Sequence, residues 1–166
     1  MPIPMPRRMP AAPSMLFCAL LALISCGAGR DVADDRGAKS GARDYSAYAV
    51  DFLETDKLGE AIARAEEEGK LVFIDFYTTW CLPCKLMDED VFTDRALGRY
   101  MNERFVSLKV DAEKGNGANL ASLYNVRAYP TLVFLDTNGR VVAQKQGAAY
   151  QRELRELGDR AVASVP

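Results

Sequence analysis

From about residue 45 the chain alternates between two hydrophobic rhythms. Unbroken apolar runs mark strands covered on both faces, and apolar residues three and four apart mark helices. Residues 70–77 (KLVFIDFY) are the clearest run, and residues 105–110, 131–135 and 141–146 are further predicted strands. Residues 47–53 predict a short first strand. Leu58, Ala61, Ile62 and Ala65 share one helical face, with Thr55 or Asp56 as the cap and Gly69 as the stop. Further helices are predicted from near Cys81 through Met87, from a cap at Thr93 or Asp94 to about Asn102, over 116–124, and over 151–163. Asn138-Gly139 predicts a hairpin between the last two strands. The order β-α-β-α-α-β-α-β-β-α contains no repeat. Alternating strands and helices imply parallel pairing, and the hairpin adds an antiparallel pair. The fold class is therefore α/β, a central mixed sheet flanked by helices.

Two features do not serve this pattern. Asp75 interrupts the strand run, and Cys81 and Cys84 follow it with Pro83 between them. Pro83 suits the first turn of a helix, where its missing N–H is not needed. A thiol at a helix start faces outward-pointing N–H groups, which stabilise its thiolate. That assigns attack on a substrate disulfide to Cys81, usually the more exposed thiol, and resolution of the mixed disulfide to Cys84. An inert stabilising disulfide is the alternative. In the strand, Asp75 alternates with Ile74 and Phe76, so it is expected to be poorly hydrated with a raised pKa. Below the thiols it could accept and return the proton of Cys84.

Composition narrows the chemistry. The chain has 166 residues, 49% of them hydrophobic, which suits one globular domain plus an extension. Net charge is -2 with no basic stripe, which argues against nucleic acid as a partner. Histidine is absent, which excludes Ser-His-Asp and Cys-His catalysis and removes the commonest metal ligand. Two cysteines alone cannot complete a structural zinc site. No metal is expected, although copper handling by the two thiols is a rival to be tested.

The N-terminus reads as an address. Arg7 and Arg8 precede a ten-residue apolar run at 15–24, far short of the roughly 20 residues that span a bilayer. Leu23-Ile24-Ser25-Cys26 resembles the lipobox of bacterial lipoproteins. That resemblance implies a signal peptide over 1–25, cleavage before Cys26, and lipid on its thiol and new amino group. Gly27, where an Asp would favour the inner membrane, leans towards the outer membrane. An ordinary secretory signal cut near Ala28 is the alternative. Residues 26–44 are polar and Gly/Ala-rich, a flexible tether, and residues 45–166 form the domain. With Cys18 in the signal and Cys26 lipidated, Cys81 and Cys84 are the thiols left to the domain.

The segment FIDFYTTWCLPCK (73–85) is similar to the active-site segment of the thioredoxin superfamily: strand, buried acid, Trp, then C-x-P-C-K. Residues 124–132 (YNVRAYPTL) look like the thioredoxin segment whose proline is cis, and Gly147 matches the glycine of the last strand. Within the superfamily, residues 87–94 (MDEDVFTD) most resemble the exported C-terminal domains of the DsbD family. The resemblance covers roughly 47–163. It implies a thioredoxin fold and thiol–disulfide exchange without a cofactor. Cys81 and Cys84 would be the redox pair, Asp75 the buried acid and Pro130 the cis proline. Trp80 would cover one side of the site. Pro83, Tyr129 and Pro130 would meet substrate, Tyr129 offering its backbone to an extended segment.

Departures from the family pattern are Leu82 in the motif and Tyr129 where a small aliphatic residue is common. The lysine that neighbours the buried acid in thioredoxins aligns near Ser107, with Lys109 two residues on. This alignment weakens the proton role of Asp75. The expected protein is a monomeric, lipid-anchored periplasmic reductase of protein disulfides, fed by an upstream membrane thiol reductase. A peptide-binding or chaperone module with little redox turnover is the alternative.

Overall fold

The apolar runs assemble into one five-stranded sheet. Its strands are β1 (Phe52–Leu53), β2 (Leu71–Tyr77), β3 (Phe105–Asp111), β4 (Thr131–Leu135) and β5 (Val141–Gln146). The helices are α1 (Leu58–Glu68), α2 (Leu82–Asp90), α3 (Arg95–Arg104), α4 (Gly117–Leu123) and α5 (Gln151–Ala163). This computed structural model describes residues 48–53 and 55–165. The signal over 1–25, the tether over 26–44 and the lipid site at Cys26 lie outside the described residues. The strand order is β1-β3-β2-β4-β5. The pairs β1–β3 and β2–β3 are parallel, whereas β2–β4 and β4–β5 are antiparallel. The mixed sheet expected from the sequence is the one observed.

Strand β2 sits in the middle because it can be covered twice. Val72, Ile74 and Phe76 face a layer containing Ala61 and Ala65 of α1 and Leu120 of α4. Phe73 faces Met87 of α2, Leu97 and Met101 of α3, and Leu154 of α5. Full burial of such side chains is worth about 1.5–3 kcal/mol each, so both layers depend on this strand.

Several predicted boundaries move, each for a local reason. The first strand shrinks from 47–53 to two residues, because the N–H groups of Ala49 and Val50 both turn to the carbonyl of Phe92, at 2.8 and 3.2 Å. Neither Thr55 nor Asp56 occupies the cap of α1. Thr55 accepts the Lys57 N–H at 3.1 Å and donates its hydroxyl to Glu60, closing a turn one step earlier. Asp94 does cap α3, accepting the Leu97 N–H at 2.7 Å. Gly69 ends α1 at φ 65°, a left-handed conformation that glycine adopts without strain.

The segment before β1 crosses α3 closely. A Cβ added at Gly98 would lie 2.3 Å from the Ala49 carbonyl oxygen, so the helix and this segment touch backbone to backbone. Gly98→Ala is expected to lower unfolding free energy by about 1–3 kcal/mol, as overpacking does. Urea denaturation checks it, and an unchanged midpoint would show that the segment yields freely.

Candidate functional site

The chain leaves β2 at Tyr77 and turns at once into α2. The Cys81 N–H donates to the Thr78 carbonyl at 3.2 Å, and Cys81 becomes the N-cap of α2. Its Sγ accepts the Cys84 N–H at 3.2 Å. The sulfur thus takes the place of a capping oxygen, facing unpaired helix donors. Cys81 and Cys84 form a disulfide with their Cα atoms 5.3 Å apart. Pro83 occupies the first turn, as its chemistry favours.

Tyr77 forms one buried cluster with Cys81 and Cys84, and Tyr129 packs against that cluster. Cys81, expected to be accessible, is only 3% exposed, against 1% for Cys84. Its sequence neighbours Trp80 and Leu82 are both 65% exposed. The Tyr129–Pro130 peptide is cis, as anticipated. Trp80 meets Tyr129 edge to face at 6.0 Å and donates its indole N–H to both carboxylate oxygens of Glu113, at 3.1 and 3.2 Å.

Asp75 is fully buried and lies on the face of β2 that α2 covers. It is not an isolated acid. Lys109 donates to Asp75 Oδ2 at 2.6 Å and to Asp88 Oδ1 at 2.6 Å, making a buried ion triad. This corrects the alignment that left the acid's neighbour at Ser107. Parallel pairing sets Asp75 opposite Lys109, whereas Ser107 stands opposite Phe73. The Lys109 ammonium also lies 4.7 Å from the ring centre of Phe92, 5.0 Å from Tyr77, 5.2 Å from Phe52 and 5.6 Å from Tyr48. Burial works against its charge, but Asp75 and Asp88 outweigh burial and hold its pKa above the usual lysine value. Ring faces within about 6 Å add to the attraction.

Of the residues singled out in the sequence, Cys81, Cys84 and Tyr129 meet in one cluster, Trp80 lies against Tyr129 and Pro83 opens α2; Asp88 and Glu113 were not singled out, and Lys109 was noted only as two residues beyond the aligned position. Asp88 had a readable signal. It follows Cys84 by four residues and Met87 by one, so an acid stood on the buried face of an amphipathic helix. Glu113 lies in a loop and left no pattern. Among the described residues, no cluster of three or more His, Cys, Asp or Glu is placed to hold a metal ion.

A family model for a thioredoxin-like domain matches residues 58–161. The chain belongs to the thioredoxin-like family. Thioredoxin-1 of Drosophila melanogaster is 41% identical over 76 residues, a match covering 46% of this chain and 66% of that protein. The thiol:disulfide interchange protein DsbD of Actinobacillus pleuropneumoniae is 30% identical over 113 residues, covering 64% of this chain but 19% of DsbD. The solution structure of a Bacteroides thetaiotaomicron protein, provisionally named a disulphide-isomerase, aligns with TM-score 0.59 and 42% identity. That alignment covers 70% of this chain and 93% of the other. This thioredoxin-like chain thus spans under two thirds of the curated relatives above, with a cysteine pair close enough for a disulfide.

The triad makes two linked predictions. Lys109→Met leaves two buried carboxylates without their cation, and is expected to cost about 3–5 kcal/mol in chemical denaturation. In the wild type the lysine's contribution is complete below the unfolded pKa, about 10.4, and is lost as pH rises through the higher folded value. Unfolding free energies measured from pH 8 to 12 should therefore converge for wild type and variant at the alkaline end. Parallel curves would contradict the assignment.

Proposed function

We propose that this protein is a thiol–disulfide oxidoreductase that reduces disulfides of exported proteins, with Cys81 attacking and Cys84 resolving. The observation that carries this reading is the placement of Cys81 Sγ as the acceptor at the N-cap of α2. A sulfur there is favoured as thiolate, the nucleophilic form. The Cys81 thiolate attacks one sulfur of a substrate disulfide. That bond breaks, one substrate thiolate leaves, and a mixed disulfide forms. Cys84, its proton passed towards Asp75, then attacks Cys81 Sγ and expels the second substrate thiolate. Two electrons have moved to the substrate, and Cys81 and Cys84 are joined. An upstream thiol reductase would restore them. Trp80, Pro83, Tyr129 and Pro130 would seat the extended substrate segment beside Cys81.

The location is part of the same proposal. The apolar run at 15–24 ending in Ser25-Cys26 supports export with lipid on Cys26, and so a bacterial periplasmic address on a membrane, the outer one favoured by Gly27. Pro83 before the second cysteine and the acid at Asp75 both favour the reducing direction.

With insulin as substrate and dithiothreitol as donor, Cys81→Ser is expected to abolish turnover. Cys84→Ser should instead hold substrates as mixed disulfides, visible as adducts on non-reducing gels. Full turnover by Cys81→Ser would overturn the assignment. A reduction potential near the strong-oxidant value of about -120 mV would reverse the direction. Labelled palmitate in the expressing bacterium should enter the full chain and not a Cys26→Ser variant. Equal labelling would remove the anchor.

A further inference from the structure

We propose that the paired helices α3 and α5 are a docking face for an anionic phospholipid surface, and that this face turns the redox end of the domain away from the bilayer. The inference goes beyond the exchange reading and takes from it the lipid site at Cys26. Six of the nine arginines between residues 48 and 165 stand on these two helices, against four acids, Glu103, Glu153, Glu156 and Asp159. The other side of the sheet has the reverse balance, since α1 carries Arg64 against Glu60 and three consecutive glutamates at 66–68. Among the described residues the arginines in ion pairs are Arg64, Arg104, Arg140 and Arg152. Arg99, Arg155 and Arg160 are exposed and join none.

Packing holds part of this charge in place. The Tyr100 hydroxyl of α3 donates to Asp159 Oδ1 of α5 at 2.6 Å and lies 3.1 Å from the Arg155 carbonyl, tying the two helices together. The guanidinium carbons of Arg104 and Arg155 each lie 4.6 Å from the centre of the Tyr100 ring. Two like charges are thus stacked on one ring at the surface, preorganised for phosphate oxygens, which guanidinium forks bind in pairs. Beside Arg104, the side chains of Leu71, Val162 and Val165 line an open depression, and Val162 is 44% exposed. Guanidiniums next to apolar side chains suit the boundary between headgroups and acyl chains.

The point of chain entry and the direction of β2 set the orientation. The Asp51 N–H donates to Asn102 Oδ1 at 2.9 Å, and the Asn102 amide donates to the Ala49 carbonyl at 3.0 Å. The segment leading from Cys26 therefore joins the domain on α3. A coil as long as the tether at 26–44 spans about 25 Å, so an anchor at Cys26 keeps this face within reach of the headgroups. Leu71 begins β2 beside the depression, and Tyr77 ends it in the sulfur cluster, about 20 Å away along the strand. Helix α2, which starts at the sulfurs, exposes Glu89 and Asp90, and an anionic surface repels both. The arginine end then faces lipid, and Cys81 faces the aqueous side.

The test uses the full chain with Cys26→Ser, so that no lipid anchors it, and vesicles of phosphatidylcholine with or without phosphatidylglycerol. Cosedimentation should be roughly 10-fold tighter on the anionic vesicles and should weaken as salt rises. Changing Arg99, Arg104, Arg155 and Arg160 together to Gln should weaken it about 10-fold. The same charge change on or beside α1 and α4, made with Lys57→Gln, Arg64→Gln, Lys114→Gln and Arg127→Gln, should leave it within about threefold. Should the first variant fail to fold, the pair Arg99→Gln and Arg160→Gln spares the Tyr100 stack, with Arg64→Gln and Arg127→Gln as its control. Equal binding to both vesicles, binding to neither, or equal loss in the two variants overturns the docking face. A bulky maleimide should alkylate reduced Cys81 on anionic vesicles within about twofold of its rate in solution, and strong slowing overturns the orientation. No arm needs lipidation or disulfide turnover, so a failed palmitate or insulin assay would sink the reading above and still leave the docking face judged.

Discussion

A lysine ammonium with its side chain wholly enclosed is the constraint around which one face of this molecule is arranged. It sits between two carboxylates from different elements, one on the central strand and one on the helix that carries the cysteines. Removing water from three charges costs several kcal/mol per ion, so each must find its partner or the layer fails. The triad therefore fixes where α2 lies over β2 and β3. Because α2 begins at Cys81, the same electrostatic requirement sets the position of the sulfur pair. Tyr77 completes the link, clustered with the disulfide and with its ring centre 5.0 Å from the ammonium.

The two faces of the sheet carry different burdens. The α1–α4 face is aliphatic and aromatic, and its contacts are those of a plain packed core. The α2–α3–α5 face holds the aromatic ring cluster and the buried ions together. Phe52 and Phe92 stand edge to face at 5.1 Å, and each also lies near the ammonium. The aromatic content of this face is thus both packing and partial solvation for a charge that water cannot reach.

Element type and order were legible in the sequence because hydrophobic periodicity reports burial, and burial follows layers. The last two strands and the final helix match the predicted limits residue for residue. The redox pair was legible because its motif is local. Partnerships across strands were not. Lys109 looked two residues out of place until the parallel register put it opposite Asp75, and nothing local encodes that register. Glu113 was silent for the same reason, since its task is defined by a tryptophan thirty-three positions away. The first strand shortened because one carbonyl, that of Phe92, captured two N–H groups, a competition that residue preferences do not record.

The bridge between Cys81 and Cys84 spans a sequence separation of three. Closing so small a ring restricts the unfolded chain far less than a staple across the domain would, because the entropy removed grows with loop length. Making or breaking the bond therefore takes little from the architecture that carries it. The form of the domain is therefore held by its packed layers and buried ions, and the bridge adds little chain restraint to them.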